Sequence, residues 1–164
     1  VNDVLAKLLE LKDVEILSQS NYGRINACIS SDDTNSYGYG CIGYIDEVSI
    51  PNFLDIIKEK LGLDNLRVYG SLNKNISRVA LCGGSGGDFI QDAFNKGAQL
   101  YITGDIKYHE AQLANELGLI LVDANHFDTE KVILPEIKDK LENTTKAHIE
   151  VIVDLNSAAP FKIY

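Results

Sequence analysis

Residues 76–123 read ISRVALCGGSGGDFIQDAFNKGAQLYITGDIKYHEAQLANELGLILVD, and this stretch decides the fold. Short apolar runs alternate with longer segments of helical periodicity, and glycines mark most of the boundaries between them. The predicted order is strand, glycine-rich loop, helix, strand, helix, strand. Short connections of this kind are typical of parallel strands joined by right-handed crossovers, with helices on both faces. The sequence therefore predicts an α/β fold with a mostly parallel or mixed sheet.

The pattern continues towards both ends of the chain. Residues 128–141 have helical periodicity, and Pro135 is expected to kink this helix or divide it. Residues 148–155 alternate like a strand, with His148 interpreted as structural. We expect the remaining elements to be a helix at 3–11, strands at 14–17, 41–50 and 66–70, a helix from Pro51 to Gly62, and a loop at 30–40. The whole chain, 1–164, is predicted to form a single domain.

Composition limits the classes of function. The chain has 164 residues, a formal net charge of −9 and no dense cluster of lysine and arginine, so a nucleic-acid partner is not expected. No apolar run approaches the ~20 residues of a membrane span, so no membrane partner is expected either. Cys28, Cys41 and Cys82 are far apart and are predicted to be reduced thiols of a cytoplasmic protein. Because the chain begins at Val1 and has no Met, we interpret it as a processed chain or a fragment.

Polar residues follow three of the predicted strands where each strand ends. These strand ends carry GGSGG at 83–87, TGD at 103–105 and DANH at 123–126. In an open parallel sheet, ligands bind beyond the carboxyl ends of the strands, and strands adjacent in sequence are usually adjacent in space. The three groups are therefore expected to converge on one cavity.

His126 and Glu130 are four residues apart at the start of a predicted helix. If that helix begins near Asp128, the carboxylate of Glu130 can reach back to the imidazole. One imidazole nitrogen and one carboxylate oxygen suit Zn²⁺, Fe²⁺ or Mn²⁺. The alternative is helix-start electrostatics for Glu130 and capping of the turn by His126.

Asp105 and His109 show the same spacing in the preceding helix. Asp105 is a natural N-cap, which is the structural interpretation of the pair. The functional interpretation is that Asp105 and His109 orient metal ligands or move a proton as catalytic residues.

The glycine-rich loop contains Gly83, Gly84, Ser85 and Gly86. Its backbone N–H groups could bind an anion such as a phosphate at the following helix. The loop matches neither a dinucleotide-binding nor a P-loop pattern, so a tight turn or close packing beside the site explains it equally well.

Taken together, the glycine-rich loop, TGDIKYH and a histidine followed by glutamate closely resemble the NIF-three-like family, also called GTP cyclohydrolase 1 type 2 homologs. The resemblance implies the NIF-three-like fold and a pair of divalent metal ions, either zinc, iron or manganese. His126 and Glu130 would be ligands, and Asp105 and His109 match the motif beside the metals. Asn125 departs from the glycine usual before that histidine, and no His-His pair is present.

The resemblance also implies a function. The leading expectation is a metal-dependent hydrolase acting on a phosphoester or nucleotide-like substrate, with a dinuclear site that a segment absent from this chain completes. The alternative is a non-catalytic metal-binding protein with a regulatory or interaction role. By resemblance, the partner is another copy of the chain, in a toroidal homohexamer.

Overall fold

The computed structural model describes residues 1–20, 37–144, 149–154 and 160–161. In this part of the chain six strands form one sheet, accompanied by six α-helices and two short 3₁₀ turns. The strands are β1 (Lys12–Gln19), β2 (Gly38–Ser49), β3 (Arg67–Tyr69), β4 (Asn75–Ser85), β5 (Leu100–Gly104) and β6 (Ile120–Asp123). The helices are α1 (Asn2–Leu8), α2 (Ile50–Leu61), α3 (Ile90–Asn95), α4 (Tyr108–Leu117), α5 (His126–Glu130) and α6 (Leu134–Thr144), and the 3₁₀ turns are Gly87–Phe89 and Lys131–Ile133.

The sheet has a parallel centre and antiparallel edges. Its strand order is β1-β2-β4-β5-β6-β3. The strands β4, β5 and β6 run parallel, whereas the pairs β1–β2, β2–β4 and β3–β6 are antiparallel. The predicted α/β class is confirmed, with a sheet that is mixed. Among the residues that the structure describes, the parallel strands are three of the four in the pattern that predicted the fold.

Helices cover both faces of the sheet, as predicted. Leu100 and Ile102 of β5 face the core that includes residues of α1 and α2, whereas Tyr101 between them faces the core that includes residues of α3 and α4. All three side chains are buried. This alternation follows from strand geometry, because successive side chains point to opposite faces. An apolar run without polar positions therefore indicates a strand that is covered on both sides.

Proline and glycine mark the helix boundaries where the sequence predicted them. Pro51 lies in the first turn of α2, and Gly62 ends that helix in the left-handed conformation with a φ of 68°. The predicted helix at 128–141 is divided into α5, the turn Lys131–Ile133 and α6. Pro135 is the second residue of α6. N–H groups in the first turn have no partner within the helix, so proline costs no hydrogen bond there.

The predicted last strand is wrong over residues 149–154, which form no strand. The N–H of Val151 donates to Oε1 of Glu142 in α6, at 3.2 Å. Alternating residues predict an extended segment, but a strand also needs a neighbouring strand to pair with. His148 and its structural interpretation lie outside the described residues.

The predicted loop at 30–40 is wrong at its end, because residues 38–40 belong to β2, while 30–36 lie outside the described residues. The glycines there serve strand packing, since a Cβ on Gly40 would lie 2.7 Å from the carbonyl oxygen of Leu81. Cys41 is disulfide-bonded, so the prediction of three reduced thiols is wrong at this position. Cys82 is a free buried thiol, and Cys28 lies outside the described residues. None of the helices in the described ranges is long and apolar enough to cross a membrane.

Candidate functional site

The carboxyl ends of β4, β5 and β6 bring three titratable side chains together. Asp105 follows β5 directly. His126 and Glu130 are the first and last residues of α5, which begins three residues after the last residue of β6. Because these strands are parallel neighbours, their ends lie on the same edge of the sheet. The expected convergence therefore holds for Asp105, His126 and Glu130.

Asp105 contacts His126 across the two strand ends. Its Oδ2 atom lies 2.7 Å from Nδ1 of the imidazole. Asp105 has a left-handed backbone with a φ of 55°, a conformation that aspartate tolerates better than most residues. The predicted N-cap role is wrong, because Lys107 is the N-cap of α4. The left-handed turn directs this carboxylate away from the helix start and towards the neighbouring strand end.

Glu130 contacts the other nitrogen of the same ring. Its Oε2 atom lies 3.3 Å from Nε2 of His126. The helix begins at His126 itself rather than near Asp128, so the two residues occupy one helix face at the i, i+4 spacing. The imidazole therefore lies between two carboxylates, one on each nitrogen.

This arrangement raises the pKa of His126 above its ordinary value. The largest cause is the hydrogen bond with Asp105, and the carboxylate of Glu130 adds to it. Burial acts in the opposite direction and is the second-largest cause, but the net shift is upward. The His126 side chain is 45% exposed. The ring is therefore held in place and remains open to a ligand.

Two cavities meet at His126 and Glu130. The larger, of about 700 Å³, is also lined by Asp105 and by apolar residues that include Phe127 and Leu134. The smaller, of about 390 Å³, has Gly83, Ser85 and Cys82 in its wall. Burial raises the pKa of the Cys82 thiol to about 11, which keeps it protonated near neutral pH.

The glycine-rich loop packs directly beneath the imidazole. A Cβ on Gly84 would lie 2.6 Å from Oε1 of Glu130 and 3.3 Å from Nε2 of His126, so a larger residue here would crowd both side chains. Gly84 also has a φ of 72°, which glycine adopts without strain.

Side chains of the protein accept from the N–H groups of this loop. Gly83 donates to Asn2, Gly84 to Thr129 and Gly86 to Thr103, at 2.8–2.9 Å. This pattern favours the packing interpretation of the loop, and anion binding there stays a prediction.

His109 contacts residues of its own helix. Its Nδ1 atom lies 3.1 Å from Oε1 of Gln112, and its ring meets Tyr108 edge to face. The structure thus pairs Asp105 with His126, and it leaves the predicted catalytic role of His109 without a contact that supports it.

Sequence reasoning missed the residues that brace the site. Thr129 accepts from Gly84 and donates back to the first turn of α5, and Thr103 joins Gly86 to Gly84. Both threonines are fully buried. A polar residue within an apolar run, as in YIT, was the available signal, because buried hydroxyls need partners.

Part of a metal site fits this geometry. Among the residues that the structure describes, no three His, Cys, Asp or Glu side chains are placed to hold a metal ion. Nε2 of His126 and Oε2 of Glu130 nevertheless lie 3.3 Å apart. Tetrahedral zinc with bonds of about 2.0–2.1 Å places its ligands about 3.3–3.4 Å apart. Two ligands therefore fit, with Asp105 behind the imidazole as metal-binding histidines commonly require.

Comparison with known proteins decides the family. The family model described as Duf34/NIF3 (NGG1p interacting factor 3) matches residues 1–160. The chain belongs to this family. The resemblance drawn from the glycine-rich loop, TGDIKYH and the histidine–glutamate pair is thereby confirmed.

Curated relatives and a solved structure agree with the Duf34/NIF3 assignment. A GTP cyclohydrolase 1 type 2 homolog of Clostridium perfringens is 37% identical over 116 residues, covering 71% of this chain and 44% of the relative. A protein of the same name from Nostoc is 35% identical over 144 residues, covering 86% and 50%. The chain thus spans about half the length of these relatives. A Bacillus cereus protein related to NIF3 has the same fold, with a TM-score of 0.86, 21% identity, and coverage of 99% of this chain and 69% of that one.

Proposed function

We propose that this Duf34/NIF3 chain supplies His126 and Glu130 to a divalent metal site of a metal-dependent hydrolase. The observation that carries the proposal is the position of His126, which lies between two carboxylates on the wall of a cavity of about 700 Å³. Residues with such partners, when they line a cavity, are candidates for a functional site.

Asp105 and Glu130 have different roles in this proposal. Asp105 accepts the proton on Nδ1 of His126, which fixes the tautomer and leaves Nε2 free to bind a cation. Glu130 supplies an oxygen on the Nε2 side, at a separation that suits one shared ion. Asp105 is therefore an orienting residue, and His126 and Glu130 are the ligands.

A divalent ion such as zinc, iron or manganese would supply Lewis-acid chemistry suited to hydrolysis of a phosphoester or nucleotide-like substrate. Two ligands hold such an ion weakly, so the remaining ligands must come from outside the described residues. The apolar wall of the larger cavity, which includes Phe127 and Leu134, would exclude bulk water from a bound substrate. The predicted proton transfer by His109 and anion binding by the glycine-rich loop are further parts of the proposal.

Assembly into a homo-oligomer, by resemblance a toroidal hexamer, is also part of the proposal. Ile137 and Leu141 of α6 are 43% and 44% exposed, and Ile152 is 82% exposed. Such exposed apolar groups, two of which lie on one helix, favour contact with another surface. Light scattering coupled to size-exclusion chromatography measures the oligomeric state directly.

A second candidate is a non-catalytic metal-binding protein with a regulatory or interaction role. The description of the family as an interacting factor favours it. The two candidates share the metal site and differ in turnover.

Isothermal titration calorimetry tests the metal site that both candidate functions require. The chain, His126→Gln and Glu130→Gln are titrated with zinc and with manganese, and Glu136→Gln serves as the control because Glu136 pairs only with Lys140 in the contacts described. Weak binding by the chain and the control, lost in both ligand variants, supports the proposal. Equal binding by all four proteins overturns it.

Turnover separates the two candidates. A panel of phosphomonoesters, phosphodiesters and nucleotides is assayed with the metal-loaded protein, and any activity must fall in His126→Gln but not in Glu136→Gln. Metal binding with no turnover on any member of the panel favours the interaction role.

A further inference from the structure

Asp123, the last residue of β6, is a buried carboxylate that contacts three segments of the chain. Its side chain has 0% exposure. Its Oδ2 atom lies 2.7 Å from Nη2 of Arg67 in β3 and accepts from the N–H of Ile106 at 3.4 Å. Its Oδ1 atom accepts from the N–H of Asn125 at 3.1 Å.

The two N–H groups belong to the neighbours of the residues that meet in the site. Ile106 follows Asp105, and Asn125 precedes His126. The two oxygens of the Asp123 carboxylate therefore join the turn that carries Asp105 to the turn that carries His126. A shift of either turn would lengthen one of these bonds or separate the carboxylate of Asp105 from the imidazole.

Arg67 fixes the orientation of this carboxylate. The antiparallel register of β3 and β6 places Arg67 directly opposite Asp123. The guanidinium side chain is 62% exposed, so it keeps most of its contact with water while the carboxylate loses all of it. A buried carboxylate is unfavourable unless it is paired and hydrogen-bonded, so an apolar residue would serve better if this position only filled space.

We propose that Asp123, oriented by Arg67, is the positioning residue that sets the hydrogen bond between Asp105 and His126. The role of that bond in metal binding rests on the proposed function, but the positioning of the two side chains does not. Without Asp123, the turns after β5 and β6 would still be joined to their strands, and the alignment of Asp105 with His126 would be lost.

NMR of the imidazole of His126 in the metal-free chain tests the positioning. Asp123→Asn keeps the size of the side chain but cannot accept both N–H bonds and pair with Arg67. Asp128→Asn is the matched control, because Asp128 is also buried and paired with Lys131, and an asparagine oxygen there can still accept from the side chain of Asn125. We expect the Nδ1–H proton to exchange at least tenfold faster in Asp123→Asn, and at the parent rate in Asp128→Asn.

An unchanged exchange rate in a folded Asp123→Asn protein overturns the positioning role. If this variant does not fold, Arg67→Gln replaces it, because Arg67 is mostly exposed and its loss releases the carboxylate without removing it. Faster Nδ1–H exchange in Arg67→Gln then supports the proposal, and an unchanged rate overturns it.

Zinc titration of the same variants keeps this test separate from that of the metal site. We expect about tenfold weaker binding in Asp123→Asn, as is usual when the support of a ligand is removed. Altered exchange with no zinc binding by any protein, the parent included, supports the positioning and overturns the metal site. Unaltered exchange with zinc binding equal to that of the parent overturns the positioning and leaves the metal site supported.

Discussion

The Nδ1 atom of His126 lies 2.7 Å from Oδ2 of Asp105, although the two residues are 21 positions apart in the chain. Adjacent parallel strands create this proximity, because each residue stands just beyond the end of its strand. The contact gives one ring nitrogen a fixed partner and leaves the other facing Glu130.

Asp105→Asn is expected to lower the pKa of His126 towards its ordinary value. Asparagine also tolerates the left-handed backbone of position 105, so the substitution isolates the loss of charge. NMR titration of the metal-free protein measures the effect, with the ring of His109, which contacts Gln112, as an internal comparison. An identical His126 titration in both proteins would contradict the assigned contact.

The same pair makes stability depend on pH. Since the pKa of His126 is raised in the folded state, the stabilisation is complete below the unfolded value of about 6.5 and is lost as the pH rises through the folded value. The difference in unfolding free energy between the parent and Asp105→Asn should therefore be larger at pH 5.5 than at pH 8.5. We expect it to stay within about 1 kcal/mol, because both side chains are about half exposed. A difference that grows with pH would contradict this sign.

Gly84→Ala is expected to disturb Glu130 in addition to straining the backbone. Gly97→Ala is the control, because Gly97 has a φ of 78° against 72° for Gly84 but has no atom within 4 Å of an added Cβ. Each variant should lose about 1–2 kcal/mol in chemical denaturation from the left-handed conformation. Only Gly84→Ala should also lose zinc binding, since its Cβ would force the carboxylate of Glu130 away from His126. Equal zinc affinity in both variants would show that the close approach has no role.

The sequence predicted the parallel centre of the sheet more completely than its edges. The runs that became β4, β5 and β6 are apolar on both faces and are separated by segments of helical periodicity. This pattern predicted both their parallel direction and their order in the sheet. The place of β3 beside β6 could not be predicted, because local periodicity carries no information about which distant strands pair. The strand prediction for residues 149–154 failed for the same reason, since they alternate like a strand but pair with no strand in the part of the chain that the structure describes.

The candidate site was predicted in part. The i, i+4 spacing correctly joined His126 to Glu130, because a helix begins at His126. The same spacing led to the prediction that Asp105 caps the helix of His109. That prediction failed because α4 begins at Tyr108 and the backbone of Asp105 is in the left-handed region. Backbone conformation at one residue thus decided which histidine Asp105 contacts.

Asn125 is expected to be strained, and two substitutions measure the strain. Its φ of 62° and ψ of 145° lie in a region that glycine occupies easily and other residues occupy at a cost of about 1–3 kcal/mol. Its side chain donates to Asp128 at 3.2 Å, which both Asn125→Gly and Asn125→Ala remove. In chemical denaturation the glycine variant should be more stable than the alanine variant by about 1–2 kcal/mol. Equal stability would mean that this conformation costs nothing.

Cys82 is expected to react slowly with alkylating reagents in the folded protein. Its side chain is 6% exposed, and burial raises the pKa of the thiol to about 11. At pH 8 only about 0.1% of it would be thiolate, which is the reactive form. Mass spectrometry of the Cys82 peptide after iodoacetamide treatment should show at least a hundredfold faster labelling in concentrated guanidinium chloride. Rapid labelling of the native protein would contradict this environment.

The strand that carries Arg67 is only three residues long and lies at the outer edge of the sheet. Short edge strands open locally at a lower free energy than central ones. When β3 frays, the guanidinium leaves Asp123 while β4, β5 and β6 remain intact. If Arg67 orients Asp123 as proposed, each opening of β3 loosens the contact between Asp105 and His126, and amide exchange across Arg67–Tyr69 would measure how often this happens.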